Sequence, residues 1–117
     1  MIINIRGTGI ELTEAIKQYA EEKIGDLVKF FENITQADID LGTLGKHHQK
    51  GQIFYAEVNL HVPHKVERMV QEADNLYSAI DKVKTHCKEE LVRMKEKMRS
   101  QEKNVIRASK EYDAQSQ

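Results

Sequence analysis

The chain has 117 residues, 39% hydrophobic and 32% charged, with one cysteine, one proline and no tryptophan. That size predicts one domain able to bury a core without disulfides or metal. Its formal net charge of −1 excludes indiscriminate nucleic-acid binding by overall charge, but not an anionic partner held by a local patch. Charge is unevenly placed: residues 1–63 carry 6 Lys/Arg and 9 Asp/Glu, whereas residues 64–117 carry 12 and 10. No apolar run approaches the roughly 20 residues of a membrane span. The opening segment Met1–Gly7 lacks the basic start and long apolar middle of a signal peptide. Together with the lone Cys87, this predicts a reducing, cytoplasmic location.

Residues 3–7, INIRG, alternate apolar and polar and predict a short strand. Thr13 is a good N-cap, with Glu14 favourable in the first turn. Ile16, Ala20, Ile24, Leu27 and Phe31 then recur at helical spacing, so a helix is expected to about Glu32. Gly25 lies inside it and predicts close packing or a local irregularity. Alternation returns at 37–44, with Ala37, Ile39 and Leu41 opposite Asp38 and Asp40. The polar, glycine-bracketed stretch 45–51 reads as a loop. Residues 54–62 show the cleanest period of two: Phe54, Ala56, Val58, Leu60 and Val62 against Tyr55, Glu57, Asn59 and His61. Such a strand has one face on a core and one in water. Pro63 ends it, and 67–73 form a fourth strand.

Asn75 caps a long second helix, whose apolar stripe is Leu76, Ile80, Val83, Cys87, Leu91, Met94 and Met98. The periodicity fades near residue 100, so residues 1–99 are expected to form the domain and 100–117 a flexible polar tail. The order β-α-β-β-β-α predicts a two-layer α+β sandwich. Its sheet has four mixed strands, parallel only in the first pair, and takes both helices on one face.

Five histidines and one cysteine invite a metal site, but no pair has zinc-like spacing. His86 and Cys87 are adjacent on a helix and diverge by about 100°, and Cys87 lies on the apolar stripe, where a free cysteine is a small core residue. There is no glycine-rich phosphate loop and no nucleophile motif. Neither catalytic residues, metal, cofactor nor small-molecule substrate is expected.

The segment 82–99, KVKTHCKEELVRMKEKMR, holds seven Lys/Arg and three Glu. At about 100° per residue, Lys84, Lys88, Lys95 and Arg99 border one side of the apolar stripe. Lys82, His86, Arg93 and Lys97 border the other, while Asp81, Glu89 and Glu96 point outward. Such rows can simply be lysine stems covering apolar surface. Yet Lys84–Lys88 and Arg93–Lys97 are like-charge i,i+4 pairs, unfavourable unless an anion compensates them. No aromatic residue lies in 82–99, which argues against base stacking and for a grip on the phosphates of folded RNA.

The ordered segments MIINIRGTGIELTEAI, KI…LVKFFENI and EADNLYSAIDKV, followed by a lysine-rich helix, resemble the short ribosome hibernation promoting factors. That family is also described as the ribosome-associated inhibitor or sigma-54 modulation group. The resemblance covers about residues 1–99. It implies a fold related in shape to double-stranded RNA-binding domains. It also implies a non-enzymatic protein on the small ribosomal subunit, in the channel used by mRNA and by A- and P-site tRNA. There its basic side chains contact ribosomal RNA, block translation and preserve idle ribosomes under stress or in stationary phase.

Carried over by position, Lys23 and Lys29 match basic positions of the first helix, and Arg93, Lys95 and Lys97 match the basic run of the second. Asp26, His86 and Glu89 depart from family positions that are usually basic. Lys82, Lys84 and Lys88 are basic where the family often is not, which implies a patch shifted in register. The expected RNA-contacting set is therefore Lys23, Lys29, Lys82, Lys84, Lys88, Arg93, Lys95 and Lys97. The alternative expectation is a non-ribosomal protein-interaction module using the wet sheet face, with Tyr55 exposed.

Overall fold

A computed structural model describes residues 1–46 and 51–115, with side chains for 1–45 and 51–100. The strands are β1 (Ile2–Thr8), β2 (Gln36–Lys46), β3 (Gln52–Val62) and β4 (Lys65–Ala73); the helices are α1 (Glu14–Gly25) and α2 (Leu76–Gln115). The sheet order is β1-β2-β3-β4. β1 and β2 are parallel, and the other pairs are antiparallel. The expected α+β sandwich is therefore what the chain forms. Of the loop expected at 45–51, residues 47–50 lie outside the described residues.

Alternation along the strands builds the core. Ala56, Val58, Leu60 and Val62 of β3 are buried, as are Ala37, Ile39 and Leu41 of β2. From the helix layer, Ala20, Ile24, Leu27, Phe31, Ile80, Val83, Cys87 and Leu91 close over them. Both expected caps are made. The Ile16 N–H donates to Thr13 Oγ1 at 3.2 Å, and the Ser78 N–H donates to Asn75 Oδ1 at 2.8 Å. Each satisfies one of the N–H groups that a helix start leaves unpaired.

Two differences from the expected elements matter for the surface. First, α1 stops at Gly25 and gives way to a 3-10 turn over Asp26–Lys29, so the helix does not run to Glu32. A Cβ on Gly25 would meet Ile3 only at ordinary contact, 3.7 Å. Close packing is thus not its reason; the local irregularity is the change of helix type. The tighter turn still buries Leu27 and Phe31. It also brings Asp26, Lys29 and Phe30 alongside α2. Second, the backbone of α2 stays helical to Gln115, past residue 99 where the apolar stripe ends. Met98, the last residue of that stripe, is 45% exposed.

β3 and β4 are joined through Pro63 and His64, and His64 has φ 71. That is a left-handed conformation uncommon for a residue with a side chain.

Candidate nucleic-acid interface

The eight cations expected to contact RNA all reach the helix layer, but they do not form one patch. α2 lies with α1 and the 3-10 turn on one side and β4 on the other. The two basic borders of its stripe therefore meet different neighbours.

On the α1 side, several charges are already answered within the chain. The Tyr19 hydroxyl donates to Asp81 Oδ1 at 2.6 Å, and this bond, with burial and the Asp81 charge, raises the phenol above its ordinary value. Lys23 sits 4.0 Å from the same carboxylate and 5.4 Å from the Tyr19 ring centroid. Asp26 holds two cations, Lys29 at 3.6 Å and Lys84 at 3.7 Å. Lys88 lies over the Phe30 ring at 4.8 Å. Beyond it, Lys29, Lys95 and Arg99 line one groove with Phe31, Glu32, Asn33 and Met98.

On the β4 side, the Lys82 ammonium donates to the Glu72 backbone carbonyl at 3.2 Å. His86 shares a hydrogen bond with the Gln71 side chain at 3.0 Å. Arg93 donates to Glu90 at 2.7 Å. Lys97 lines a second groove with Pro63, His64 and Met94.

These contacts sort the candidates. Lys84 and Arg93, one member of each like-charge pair, each have a carboxylate within reach, Asp26 (shared with Lys29) and Glu90. The i,i+4 repulsion is thus compensated inside the chain and does not by itself call for an external anion. Among the described residues, Lys82, Lys88, Lys95, Lys97 and Arg99 have no carboxylate within 4.0 Å. Four of these five lie on the last three turns of the stripe-bearing segment. Arg99 was in the angular row but outside the expected contact set; it lies beside Lys95 and Lys29. His86 and Glu89, the departures from the family pattern, line a depression with Lys82 and Gln71.

The opposite sheet face carries the other sign. Asp38, Asp40, Glu57 and Glu72 project there with Arg6 and Arg68. Asp38 accepts from Asn4 at 3.0 Å, Gln36 at 2.8 Å and His61 at 2.8 Å. These bonds pull its carboxyl down from 3.8 to about 2. Asp40 accepts from Thr8 at 2.8 Å, Arg6 at 3.4 Å and Tyr55 at 3.2 Å. Tyr55 is not exposed as expected. It is half-buried, and its ring lies so close over Gly42 that a Cβ there would come within 2.6 Å of it. An aromatic residue at position 55 reads as a free binding group only while the missing side chain across the strand pair goes unnoticed.

Cys87 is fully buried, and burial pushes its thiol up to about 12. Among the described residues, no three His, Cys, Asp or Glu side chains are grouped to hold a metal ion. His47 and His48 lie outside the described residues. Nor, among the described residues, is any helix long and apolar enough to cross a membrane.

Fold and charge together define a class: a two-layer α+β domain with cations bordering its second helix and carboxylates across its sheet. The family model for Sigma 54 modulation protein / S30EA ribosomal protein matches residues 3–99, and the chain belongs to that family. It is 33% identical over 97 residues to the ribosome hibernation promoting factor of Azotobacter vinelandii, covering 83% of this chain and 85% of that one. It is 27% identical over 103 residues to the ribosome hibernation promotion factor of Lactococcus lactis, covering 88% of this chain and only 54% of that longer protein. Among solved structures, the Thermus thermophilus Protein Y N-terminal domain superposes with a TM-score of 0.69 at 27% identity. That match covers 80% of this chain and 99% of that one.

Proposed function

We propose that this protein is a ribosome hibernation factor that binds the small ribosomal subunit in the mRNA and tRNA channel, inhibiting translation and preserving idle ribosomes under stress or in stationary phase. Relatives bearing the hibernation-factor name support the biological role. The observation that carries the binding mode is the group Lys88, Lys95, Lys97 and Arg99, with Lys29 across the groove from Lys95. Phosphates are its natural counterions: the nearby carboxylates Asp26, Asp81 and Glu90 already hold other cations, and Glu32, which also lines the groove, pairs with none of these cations within 4.0 Å among the described residues.

In this reading Lys88, Lys95, Lys97 and Arg99 contact ribosomal RNA directly. Lys82 contributes from the β4 side. Lys23, Lys29, Lys84 and Arg93 reach phosphate by sharing or exchanging their intrachain partners. The acidic sheet face repels RNA and so orients the domain with its helices toward the subunit. Binding is occlusion without chemistry, and no cofactor takes part. Residues 1–99 form the binding unit, and the polar sequence that follows carries no apolar stripe to add to it.

Sedimentation tests the reading. The purified protein is expected to pellet with small subunits at low salt and to be displaced by tRNA and mRNA bound in the channel. Failure to pellet with small subunits, or pelleting undisturbed by filled A and P sites, contradicts it.

A further inference from the structure

One groove is apolar where the rest of the helix border is charged. It lies between the Pro63–His64 connection and α2, with a volume of about 370 Å³, at the small end of ligand clefts, which run from about 300 to 1,000 Å³. Phe31, Pro63, Met94 and Met98 line it, with Lys97, His64 and Lys65 at its polar parts. The Lys65 ammonium is paired with Glu67 at 2.8 Å, so Lys97 is the lining cation without a carboxylate among the described residues. Among the described residues, neither Glu67 nor any other acid is part of the lining. The left-handed backbone of His64 holds an N–H-bearing ring beside this groove.

Phe31 and Met98 are shared with the neighbouring groove, where Lys29, Lys95 and Arg99 outnumber its one acid, Glu32. A strand crossing α2 at Met98 therefore passes from one cationic groove to the other over an apolar crest. That sequence of surfaces matches phosphate, base, phosphate. We propose that the Met94–Met98 groove receives one unstacked nucleobase of single-stranded RNA, with the adjoining phosphate on Lys97. Methionine is polarisable and makes favourable contacts with aromatic rings, and apolar side chains can take over the stacking a base loses when it leaves its neighbours. The inference rests on the RNA-binding reading above and adds a base-dependent term to it, which the absence of aromatic residues in 82–99 did not lead one to expect.

The chain has four methionines, Met1, Met69, Met94 and Met98, so methyl resonances report the groove directly. Protein labelled at the methionine methyl carbon is titrated at low salt with a single-stranded RNA hexanucleotide and with an abasic ribose-phosphate chain of equal length. The expected result is a ring-current shift of Met94 and Met98 with the hexanucleotide alone, leaving Met1 and the buried Met69 unmoved. Lys97→Glu, at an exposed position, should raise the RNA concentration needed for that shift about tenfold. Unmoved Met94 and Met98 methyls, equal shifts with the abasic chain, or an unchanged titration for Lys97→Glu overturn the proposal. So do shifts that depend on protein concentration without RNA, which would mark a second copy in the groove. Pelleting with subunits but unmoved methyls would sink the base site alone; shifted methyls without pelleting would sink the ribosomal reading alone.

Discussion

Cys87 and Asp38 show how position decides what a reactive residue does. Cys87 falls on the apolar stripe of α2, and its thiol, pushed up to about 12 by burial, is inert while the fold persists. Its reaction with a thiol reagent at pH 8 should be slow in native protein and fast in denaturant. Fast native labelling would place the side chain outside the core. Asp38 is the reverse case, a carboxylate stabilised by three donors. Its folded value of about 2 lies below its ordinary 3.8. The stability it contributes is therefore full above about pH 4 and is lost as pH falls toward 2. Thermal midpoints measured from pH 5 to 2 should fall less steeply in Asp38→Asn than in wild type; parallel curves would contradict the assignment. Gly42 shows what the sequence hides. Gly42→Ala drives a Cβ into the Tyr55 ring and should destabilise by about 1–3 kcal/mol in a urea titration. Unchanged stability would mean the ring swings away freely. Nothing in the string of residues pairs positions 42 and 55; only the β2–β3 register does.

At the scale of elements, periodicity carried most of the information. The strands alternate, both helix starts are capped as expected, and the apolar stripe of α2 is buried from Ile80 to Leu91. Leu91 is 1% exposed, so Leu91→Ala should cost about 2–5 kcal/mol in the same titration; less than 1 would mean that part of α2 is loosely docked. The end of α1 was not legible, because Leu27 and Phe31 keep helical spacing through the 3-10 turn that follows Gly25. That turn decides the site, since it carries Asp26 to Lys84 and Phe30 to Lys88. The two basic borders of α2 were legible from angles alone. Which cations are free was not, because their partners lie on α1, β4 and the turn between them. His86, expected as a lost contact, is instead tied to Gln71 of β4.

The whole molecule separates charge by layer. The sheet face carries carboxylates hydrogen-bonded to strand neighbours, with Arg6 and Arg68 among them. The helix layer carries both signs, but among the described residues the cations of α2 without a carboxylate within 4.0 Å gather toward the C-terminal end of its stripe-bearing part. A net charge of −1 therefore conceals an oriented field, which gives a polyanion one face to approach. The family resemblance pointed to ribosomal RNA, and the matched family supports association with the ribosome. The packing then moves the expected contact set toward Lys88, Lys95, Lys97 and Arg99. The most direct test compares wild type with Lys88→Glu, Lys95→Glu and Arg99→Glu combined, measuring affinity for small ribosomal subunits across a salt series. If this row grips phosphate, the variant keeps its fold and loses at least tenfold in affinity at low salt. Its log–log salt slope becomes shallower by roughly 0.7 to 0.9 for each contact removed. Equal affinity and equal slope for the two proteins would contradict the claim and leave the row as a solvated helix face.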